Sequence, residues 1–599
     1  MVKFTLNGKT VEAEESKTIL QVATDAGIKI PTLCYHPAIE PYGGCRLCIV
    51  EITKRGRTKV VVSCIYLAEE GIEVKTDTEK IIRSRQTILK LLLARCPESK
   101  KLKEIAEQLG VASTHFRISD QSKEKRKNCI LCGLCVRVCN EVMKVGAIGF
   151  VNRGFKKFIG TPYDSESDAC IGCGACQIVC PTSSVDPQEV CEEEIKIIPS
   201  EYNMGLEARG ANYVPFPQAV PKTPAIDKKY CLYYQSDGER CGACEKVCPR
   251  GAVKYGQEDK IVEEKIGTII VATGYDQYDP IAYEEYGYGK YKDVITGLHY
   301  ERIVNAAGPT GGHIVRPSDH KEPKKVVWIQ CVGSRDEAKG ISYCSRFCCM
   351  YTAKQAILLK DHCPESDAYV FYMDIRAPGK DYEEFVKKAQ EFYGVKYIRG
   401  RVSRIYEKNG LLVVKGADTL AGIQLEIEAD LVVLASAAVA QGDAIEFAQK
   451  LHIPYNADNF YTELHPKLGP CETVTGGVFL AGSCQFPKDI PDSVAMASGA
   501  SSKAMTILAH DELEIEPVIA KVNEEICSGC LTCKDICAYS AIAGKEIKNR
   551  KTGELINVVA EVNSSLCHGC GACTATCRSG SIDLDGFTNE QLFDEIAIL

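Results

Sequence analysis

The chain is predicted to be a multidomain protein of mixed α/β and α+β class, with small cysteine-rich modules at both ends of an alternating strand–helix core. Three observations predict this. Twenty-eight of the 33 cysteines fall into sets spaced as metal-cluster ligands. One run, C-x2-C-x2-C-x3-C, occurs four times, twice before residue 190 and twice after residue 520. Between them, residues 260–510 alternate apolar strand-like runs with helical patterns. At 599 residues the chain has length for three to five domains and at least one sizeable core.

Residues 1–80 read as a small β-rich domain. Val2–Leu6 and Thr10–Ala13 form a hairpin pattern around Asn7-Gly8, and a helical pattern follows from about Thr18 to Ala26. The cysteines here are Cys34, Cys45, Cys48 and Cys64, spaced C-x10-C-x2-C-x15-C. A long loop, a C-x2-C and a distant fourth cysteine suit a 2Fe-2S cluster, and the glycines of YGGCRLC let amides approach it. Structural zinc is the competing reading at this looser spacing. Residues 81–125 read as a helical spacer, with the charge run Ser122–Lys127 as a solvated linker.

The four repeated runs are Cys129, Cys132, Cys135 and Cys139; Cys170, Cys173, Cys176 and Cys180; Cys527, Cys530, Cys533 and Cys537; and Cys567, Cys570, Cys573 and Cys577. Three cysteines at this spacing wrap one face of a 4Fe-4S cubane, and the fourth ligates the neighbouring cluster. The expected sets are therefore Cys129, Cys132, Cys135 with Cys180, and Cys170, Cys173, Cys176 with Cys139. At the C-terminus they are Cys527, Cys530, Cys533 with Cys577, and Cys567, Cys570, Cys573 with Cys537. Zinc prefers two separated C-x2-C knuckles, and a disulfide framework belongs to small secreted domains.

Two further sets lie between the pairs. Cys231, Cys241, Cys244 and Cys248 are spaced C-x9-C-x2-C-x3-C and suit one 4Fe-4S cluster, with Cys191 as an alternative to Cys248. Cys331, Cys344, Cys348 and Cys349 fit no common run, and spacing alone leaves buried thiols as good a reading as ligands.

Composition narrows the function. A net charge of −8 and a pI near 5.9 argue against nucleic acid as a main partner. The longest apolar stretches, such as Leu431–Ala440, fall far short of a membrane span, and MVKFTLNGKTVEAEE lacks a signal peptide's apolar core. So many thiolate ligands need a reducing compartment, which makes a cytoplasmic location the expectation.

The stretch from Cys34 through Lys127-Asn-Cys-Ile-Leu-Cys-Gly-Leu-Cys to Cys180-Pro-Thr resembles the N-terminal modules of the large iron–sulfur subunit of complex I-type NADH dehydrogenases and iron hydrogenases. The resemblance implies a β-grasp 2Fe-2S ferredoxin fold (1–80) and a bacterial-type two-cluster ferredoxin (126–190). That family often carries a His/Cys3 cluster between these modules; here only Cys96 of LLLARCPESKK remains.

From about residue 191 to 599 the chain resembles the family of heterodisulfide reductase A subunits. The segments that carry the likeness are EYNMGLEARGANYVPFPQAVPK, GTIIVATGYDQYDP, GPTGGHIVRPSD, WIQCVGSRD, YCSRFCCMYTAKQAI, FYMDIRAPGK and PKDIPDSVAMASGAS, in that order. The resemblance implies a 4Fe-4S insert at 191–260, a flavin domain similar to thioredoxin reductase at 261–512, and a C-terminal two-cluster ferredoxin at 513–599. It also implies a non-standard 4Fe-4S cluster on Cys331, Cys344, Cys348 and Cys349. The full complement is then one 2Fe-2S and six 4Fe-4S clusters.

Flavin binding is half-legible. Ala272-Thr273-Gly274 and the segment closing at Gly482 are marks of thioredoxin-reductase-like flavoproteins. A helix beginning near Pro491, Asp492 and Ser493 would aim its N-terminal amides at the flavin edge. The strand–G-x-G-x-x-G–helix unit that cradles the FAD pyrophosphate is missing, so the dinucleotide fold is truncated. Gly308-Pro-Thr-Gly-Gly312 does not replace it. FAD is held partly here, completed by a partner, or lost.

The resemblance implies an electron-transferring component of a heterodisulfide reductase-like, flavin-bifurcating complex. It would link a hydrogenase, formate dehydrogenase or NAD(P)H-oxidising partner to a disulfide- or ferredoxin-reducing partner. The alternatives are a flavin-free wiring adaptor and a catalytic subunit of the iron hydrogenase type. Cys96, Cys363, Cys471 and Cys484 read as buried thiols, and His36 as a loop histidine.

Overall fold

The alternation in Val2–Leu6 (β1) buries Val2, Phe4 and Leu6 on one face, as a half-buried strand requires. Asn7 and Gly8 both take left-handed φ values, +48° and +82°, which is what a two-residue hairpin needs to return as Lys9–Ala13 (β2). Helix α1 (Ile19–Asp25) starts at a capping box between Thr18 and Gln21. With β3 (Ile49–Lys54), β4 (Arg57–Val62) and β5 (Glu73–Lys75), the sheet order is β2-β1-β5-β3-β4, with β1 and β5 parallel. This is the β-grasp arrangement, with Ile19, Leu20 and Ala23 of α1 buried against the sheet.

The computed structural model describes residues 1–116, 128–193, 195, 197–339, 341–512, 517–548, 555–564 and 566–598, so the charge run Ser122–Lys127 lies outside the described residues. These residues form two compact units, Met1–Lys260 and Ile261–Leu599.

The stretch read as a spacer opens with two helices, α2 (Glu79–Arg95) and α3 (Lys100–Gln108), and α2 is more than a spacer. Its Arg85 is 1% exposed and donates to the Leu47 and Ile49 carbonyls, on either side of Cys48. Helix α2 is thereby bolted under the first cysteine loop. After it come α4 (Leu134–Arg137), a π-helical turn over Val138–Val142 that contains Cys139, and the hairpin β6 (Gly149–Val151) with β7 (Phe158–Gly160). Then follow α5 (Ala175–Ile178), the short pair β8 (Asn212–Tyr213) and β9 (Ala225–Ile226), α6 (Leu232–Gln235) and α7 (Ala243–Val247).

The second unit opens with β10 (Ile269–Val271) and β11 (Asp276–Gln277). The strand expected over Ile266–Ala272 is shorter because β10 pairs on one side only. Next come β12 (Val294–Thr296), α8 (Gly297–Val304), β13 (Lys325–Val332), α9 (Cys348–His362), β14 (Asp367–Tyr372), α10 (Tyr382–Glu391) and β15 (Lys396–Arg399). An antiparallel meander, β16 (Val402–Lys408), β17 (Leu411–Asp418) and β18 (Ile423–Ala429), leads to β19 (Leu431–Ser436) and β20 (Ala438–Val439). The main sheet is wholly parallel, in the order β12-β19-β13-β14-β15. Its strands are near-continuous apolar runs, as a sheet covered on both faces demands. The single tryptophan, Trp328 of β13, is fully buried, and its indole N–H donates to Gln355 of α9 at 3.0 Å.

Helix α11 (Ala444–Leu451) precedes β21 (Val478–Leu480), which pairs in parallel with β10 as a separate two-stranded sheet. Helix α12 (Ile490–Leu508) packs on both strands. The C-terminal module contains β22 (Ala520–Val522), α13 (Thr532–Ile536), β23 (Ile542–Lys548), β24 (Leu555–Val562), α14 (Ala572–Thr576), β25 (Ile582–Leu584) and α15 (Asn589–Ile598). Among the described residues no helix is long and apolar enough to cross a membrane.

Candidate metal centres and flavin-motif site

In the four C-x2-C-x2-C loops and at Cys241–Cys244, the chain turns into a short helix just before the third cysteine of the set. The turn needs a left-handed residue, supplied by Gly133, Gly174, Gly242 and Gly571 at φ of +69° to +74° and by Leu531 at +55°. The loop then wraps, and the fourth cysteine leaves at the far end of the helical turn. At Cys180, Cys248, Cys537 and Cys577 the amide four residues on donates to the sulfur, from Ser184, Ala252, Ala541 and Ser581, each at 3.3 Å.

The structure brings each swapped set together around a small shared cavity. Cys129, Cys132 and Cys135 line one with Cys180, and Cys170, Cys173 and Cys176 line the next with Cys139. At the C-terminal module Cys527, Cys530 and Cys533 meet Cys577, while Cys567, Cys570 and Cys573 meet Cys537. Among the described residues no three His, Cys, Asp or Glu side chains converge on a single ion position. The two observations are compatible, because a cubane holds its thiolates around a body of several atoms rather than one. All 33 cysteines are free thiols. Burial pushes Cys132, Cys135 and Cys176 up to about 12, so these pockets disfavour a bare thiolate. A bound cluster reverses that by placing positive iron at the sulfur.

In the first module Cys34, Cys45, Cys48 and Cys64 are all buried. Cys34 is driven toward the thiolate by hydrogen bonds from the Cys45 and Cys64 side chains, and the Cys45 amide also donates to it at 3.3 Å. His36 does not reach a sulfur bond; its Nδ1 accepts from the Ala38 amide.

The sites of the first unit run on from one another. Cys34, Cys45, Cys132 and Cys241 share one apolar core with Cys96. Cys34 is close enough to raise the Cys132 thiol, and Cys241 close enough to raise Cys173. The Cys241 amide donates to Val142, in the turn that carries Cys139.

At the fourth site, Tyr255 lies beside Cys231, Cys241 and Cys244 and stacks on Tyr233 at 3.7 Å, while Asn212 donates to Cys244 at 3.2 Å. Cys191 is elsewhere: it is buried, and its thiol donates to the Cys170 carbonyl at 3.3 Å. The geometry therefore favours Cys248 over Cys191 as the fourth ligand, since Cys248 has the amide donor of the other fourth cysteines. Cys248→Ala should cost one cluster, about four irons per chain, whereas Cys191→Ala should keep full iron content on anaerobic purification.

The vicinal cysteines sit where sequence spacing alone offered no guide. Cys331 ends β13, Cys344 lies in the loop, and Cys348 and Cys349 open α9. In the parallel sheet β13 continues to β14 on one side and borders β19 on the other. Its carboxyl end is the switch point where such sheets bind ligands. The four cysteines lie together there, Cys331 and Cys348 each neighbouring Cys344 and Cys349, as a cradle at that end of the sheet. Arg346 donates its amide to Cys344 and Arg376 to Cys349, at 3.3 and 3.4 Å. Arg335 lies against Cys331 and is held by Asp374 at 2.8 Å. Spacing gives no sign of these three arginines, although each lies in a segment that carries the family likeness.

The flavin marks lie next to this cradle. Tyr275, directly after Ala272-Thr273-Gly274, packs on Phe347 at 5.3 Å and senses Cys348. Ala272 and Thr273 are exposed, and Gln441 holds the turn through the Thr273 and Tyr275 carbonyls. Gly482 has φ +74° and lies near Ser493. Helix α12 begins at Ile490, one residue before Pro491. Its N-cap Asp489 takes the Asp492 amide, and the Ser493 amide bonds to the Asp489 carbonyl. Asp492 pairs with Arg346 at 2.9 Å. The Asp492 and Ser493 amides are thus already bonded within the chain, so fewer N-terminal amides of this helix are free than the sequence suggests. Lys488, in the segment that opens α12, is pushed down to about 8 by burial, with its ammonium 3.6 Å over the Phe486 ring. Cys484 and Cys471 are buried thiols bonded to carbonyls, and Cys96 and Cys363 are buried as well.

Comparison with known proteins supports these assignments at the level of domains. Residues 1–79 match a 2Fe-2S iron-sulfur cluster binding domain and residues 128–185 a 4Fe-4S dicluster domain. A 4Fe-4S binding domain matches residues 240–255 and 564–580. The A subunit of the H(2):CoB-CoM heterodisulfide,ferredoxin reductase of Methanothermobacter thermautotrophicus is 45% identical over 399 residues, 66% of this chain and 57% of that protein. The iron-sulfur A subunit of the CoB--CoM heterodisulfide reductase of Methanocaldococcus jannaschii is 47% identical over 395 residues, 65% of this chain and 56% of its own. The chain thus spans less than three fifths of the length of these relatives. Among solved structures, an NAD+-reducing [NiFe]-hydrogenase in the H2-reduced state is 32% identical over 27% of this chain and 74% of its own, with a TM-score of 0.24. Over about two thirds of its length the chain is similar to heterodisulfide reductase A subunits, and residues 1–185 match a 2Fe-2S domain and a 4Fe-4S dicluster domain.

Proposed function

We propose that the chain is an electron-transferring iron–sulfur subunit of a heterodisulfide reductase-like complex. It would take electrons from a hydrogenase, formate dehydrogenase or NAD(P)H-oxidising partner and pass them to a disulfide- or ferredoxin-reducing partner. Bound clusters would supply one-electron transfer, and the protein supplies their position and potential. The observation that carries this reading is the run of neighbouring sites in the first unit, joined by Cys34 with Cys132 and by Cys173 with Cys241.

The ligands we assign are the 28 cysteines of the seven sets, for one 2Fe-2S and six 4Fe-4S clusters. The chain's own residues exclude water from the inner thiols and aim amides at the sulfurs, which tunes potential. Direct disulfide cleavage by Cys348-Cys349 is not part of the proposal, because Met350 follows them where the family's disulfide-cleaving subunit has glycine. The setting is a reducing compartment, taken as the cytoplasm.

A flavin belongs to the reading because Tyr275, beside the Ala272-Thr273-Gly274 turn, neighbours the Cys348 cradle. FAD would be shared with another chain and would serve bifurcation. Iron analysis of the anaerobically purified chain is the test, with about 26 irons expected from the seven clusters. A content near fourteen irons would leave about four of the seven clusters and sink the count on which the relay rests.

A further inference from the structure

Strand β10 pairs with β21 in parallel, Ile269 with Val478 through Val271 with Leu480. The far edge of β21 is closed by the segment 471–473, through Leu480 to Cys471 at 2.7 Å and Thr473 to Val478 at 3.2 Å. No strand occupies the far edge of β10 among the described residues. Two parallel strands alone are a marginal sheet, parallel sheets are normally covered on both faces, and an open apolar edge invites another strand. The edge is apolar here, with Ile270 44% exposed.

Helix α12 carries an independent sign of a missing neighbour. Over 19 residues it holds few charged side chains, Asp492 and Lys503, yet it buries only the narrow stripe Met496, Ala500 and Ala504. Val494, Met505 and Leu508 remain 57 to 63% exposed. These three share one face of the helix, and an apolar stripe of that kind is normally packed against a neighbour. Leu508 lies against Gly267, so the bare flank of α12 adjoins the start of β10. Ala272 and Thr273, which follow β10 directly, are exposed as well.

Resting on the flavin part of the function proposed above, we propose that β10 and the bare flank of α12 receive a separate FAD-bearing α/β chain. That partner adds a parallel strand to the edge of β10. Its own strand–G-x-G-x-x-G–helix unit, which residues 1–599 lack, cradles the pyrophosphate. The isoalloxazine end then falls toward the Ala272-Thr273-Gly274 turn. The occupant is a dinucleotide-binding half-fold rather than a second copy of this chain, because a second copy offers no phosphate loop.

The test uses the native complex, purified anaerobically, beside the variants Ile270→Lys and Val494→Glu/Met505→Glu. All three positions are exposed in this chain, so its own fold and iron content should persist. In the wild type, lysine cross-links from Lys265 and Lys503 should reach a chain bearing G-x-G-x-x-G after a strand, and flavin should co-purify. Each variant should weaken retention of that chain and of flavin together, by about a hundredfold, because a charge is forced into an apolar interface. Cross-links to a second copy alone, flavin retained by the isolated chain, or variants that keep partner and flavin would each overturn the proposal. Iron well below about 26 in the wild type would instead count against the relay itself.

Discussion

Cys139→Ala should strip the cluster held with Cys170, Cys173 and Cys176 while sparing the one held with Cys129, Cys132 and Cys135. A ligand assignment by sequence order gives the opposite result, because Cys139 closes the Cys129 run. The structure places Cys139 in the Cys170 cavity and Cys180 in the Cys129 cavity. The expected loss is about four irons per chain and one 4Fe-4S signal in electron paramagnetic resonance. The functional loss should be larger than the iron loss. The emptied site lies between Cys132 on one side and Cys241 on the other, so electrons entering at the 2Fe-2S domain would no longer reach the Cys231 site. Reduction of the N-terminal cluster with no onward reduction of the others is the kinetic signature; unchanged onward reduction would refute the order.

The second large effect is expected at Arg85, which carries no ligand. Its guanidinium is buried among carbonyls at Leu47 and Ile49, 3.0 and 2.8 Å away, and reaches Asp77 at 3.0 Å. Asp77 is mostly exposed, so the ion pair itself contributes little. The two buried carbonyls decide the outcome. Arg85→Ala leaves both without a donor and opens a cavity beneath the Cys45–Cys48 loop, a destabilisation of about 3–5 kcal/mol. Arg85→Lys keeps the charge but loses the planar fork, and should recover only part of this. Thermal unfolding of the N-terminal module and loss of the 2Fe-2S absorption should move together. A variant that melts early but keeps full 2Fe-2S occupancy would show that α2 supports the domain without shaping the loop.

Most of the ligand chemistry was legible because cluster loops are local. Spacing in C-x2-C-x2-C-x3-C encodes a turn, a left-handed residue and a short helix, and the swap of the last cysteine follows from that geometry. The hairpin at Asn7-Gly8 and the box at Thr18 were legible for the same reason. Arg85 was not, because its partners lie nearly forty residues away and its own stretch looks like ordinary helix. The Cys331–Cys349 cradle was invisible to spacing because its four cysteines are gathered by a strand end, the loop after it and a helix start, a spacing that matches no common cluster run. The shortness of β10 had a third cause: an apolar run codes for a strand only as far as a neighbouring strand exists to pair with it.

The exchange of last cysteines also bears on how the protein is assembled. In each terminal pair, either cavity draws its walls from two segments separated by tens of residues, with Cys180 closing back on Cys129 and Cys577 on Cys527. A cluster delivered to one cavity pins the chain that forms the other, much as a clasp fixes both ends of a necklace. In the intact chain, filling one cavity should therefore favour filling of the other, so iron-starved cells should yield more fully loaded and fully empty modules than independent filling gives.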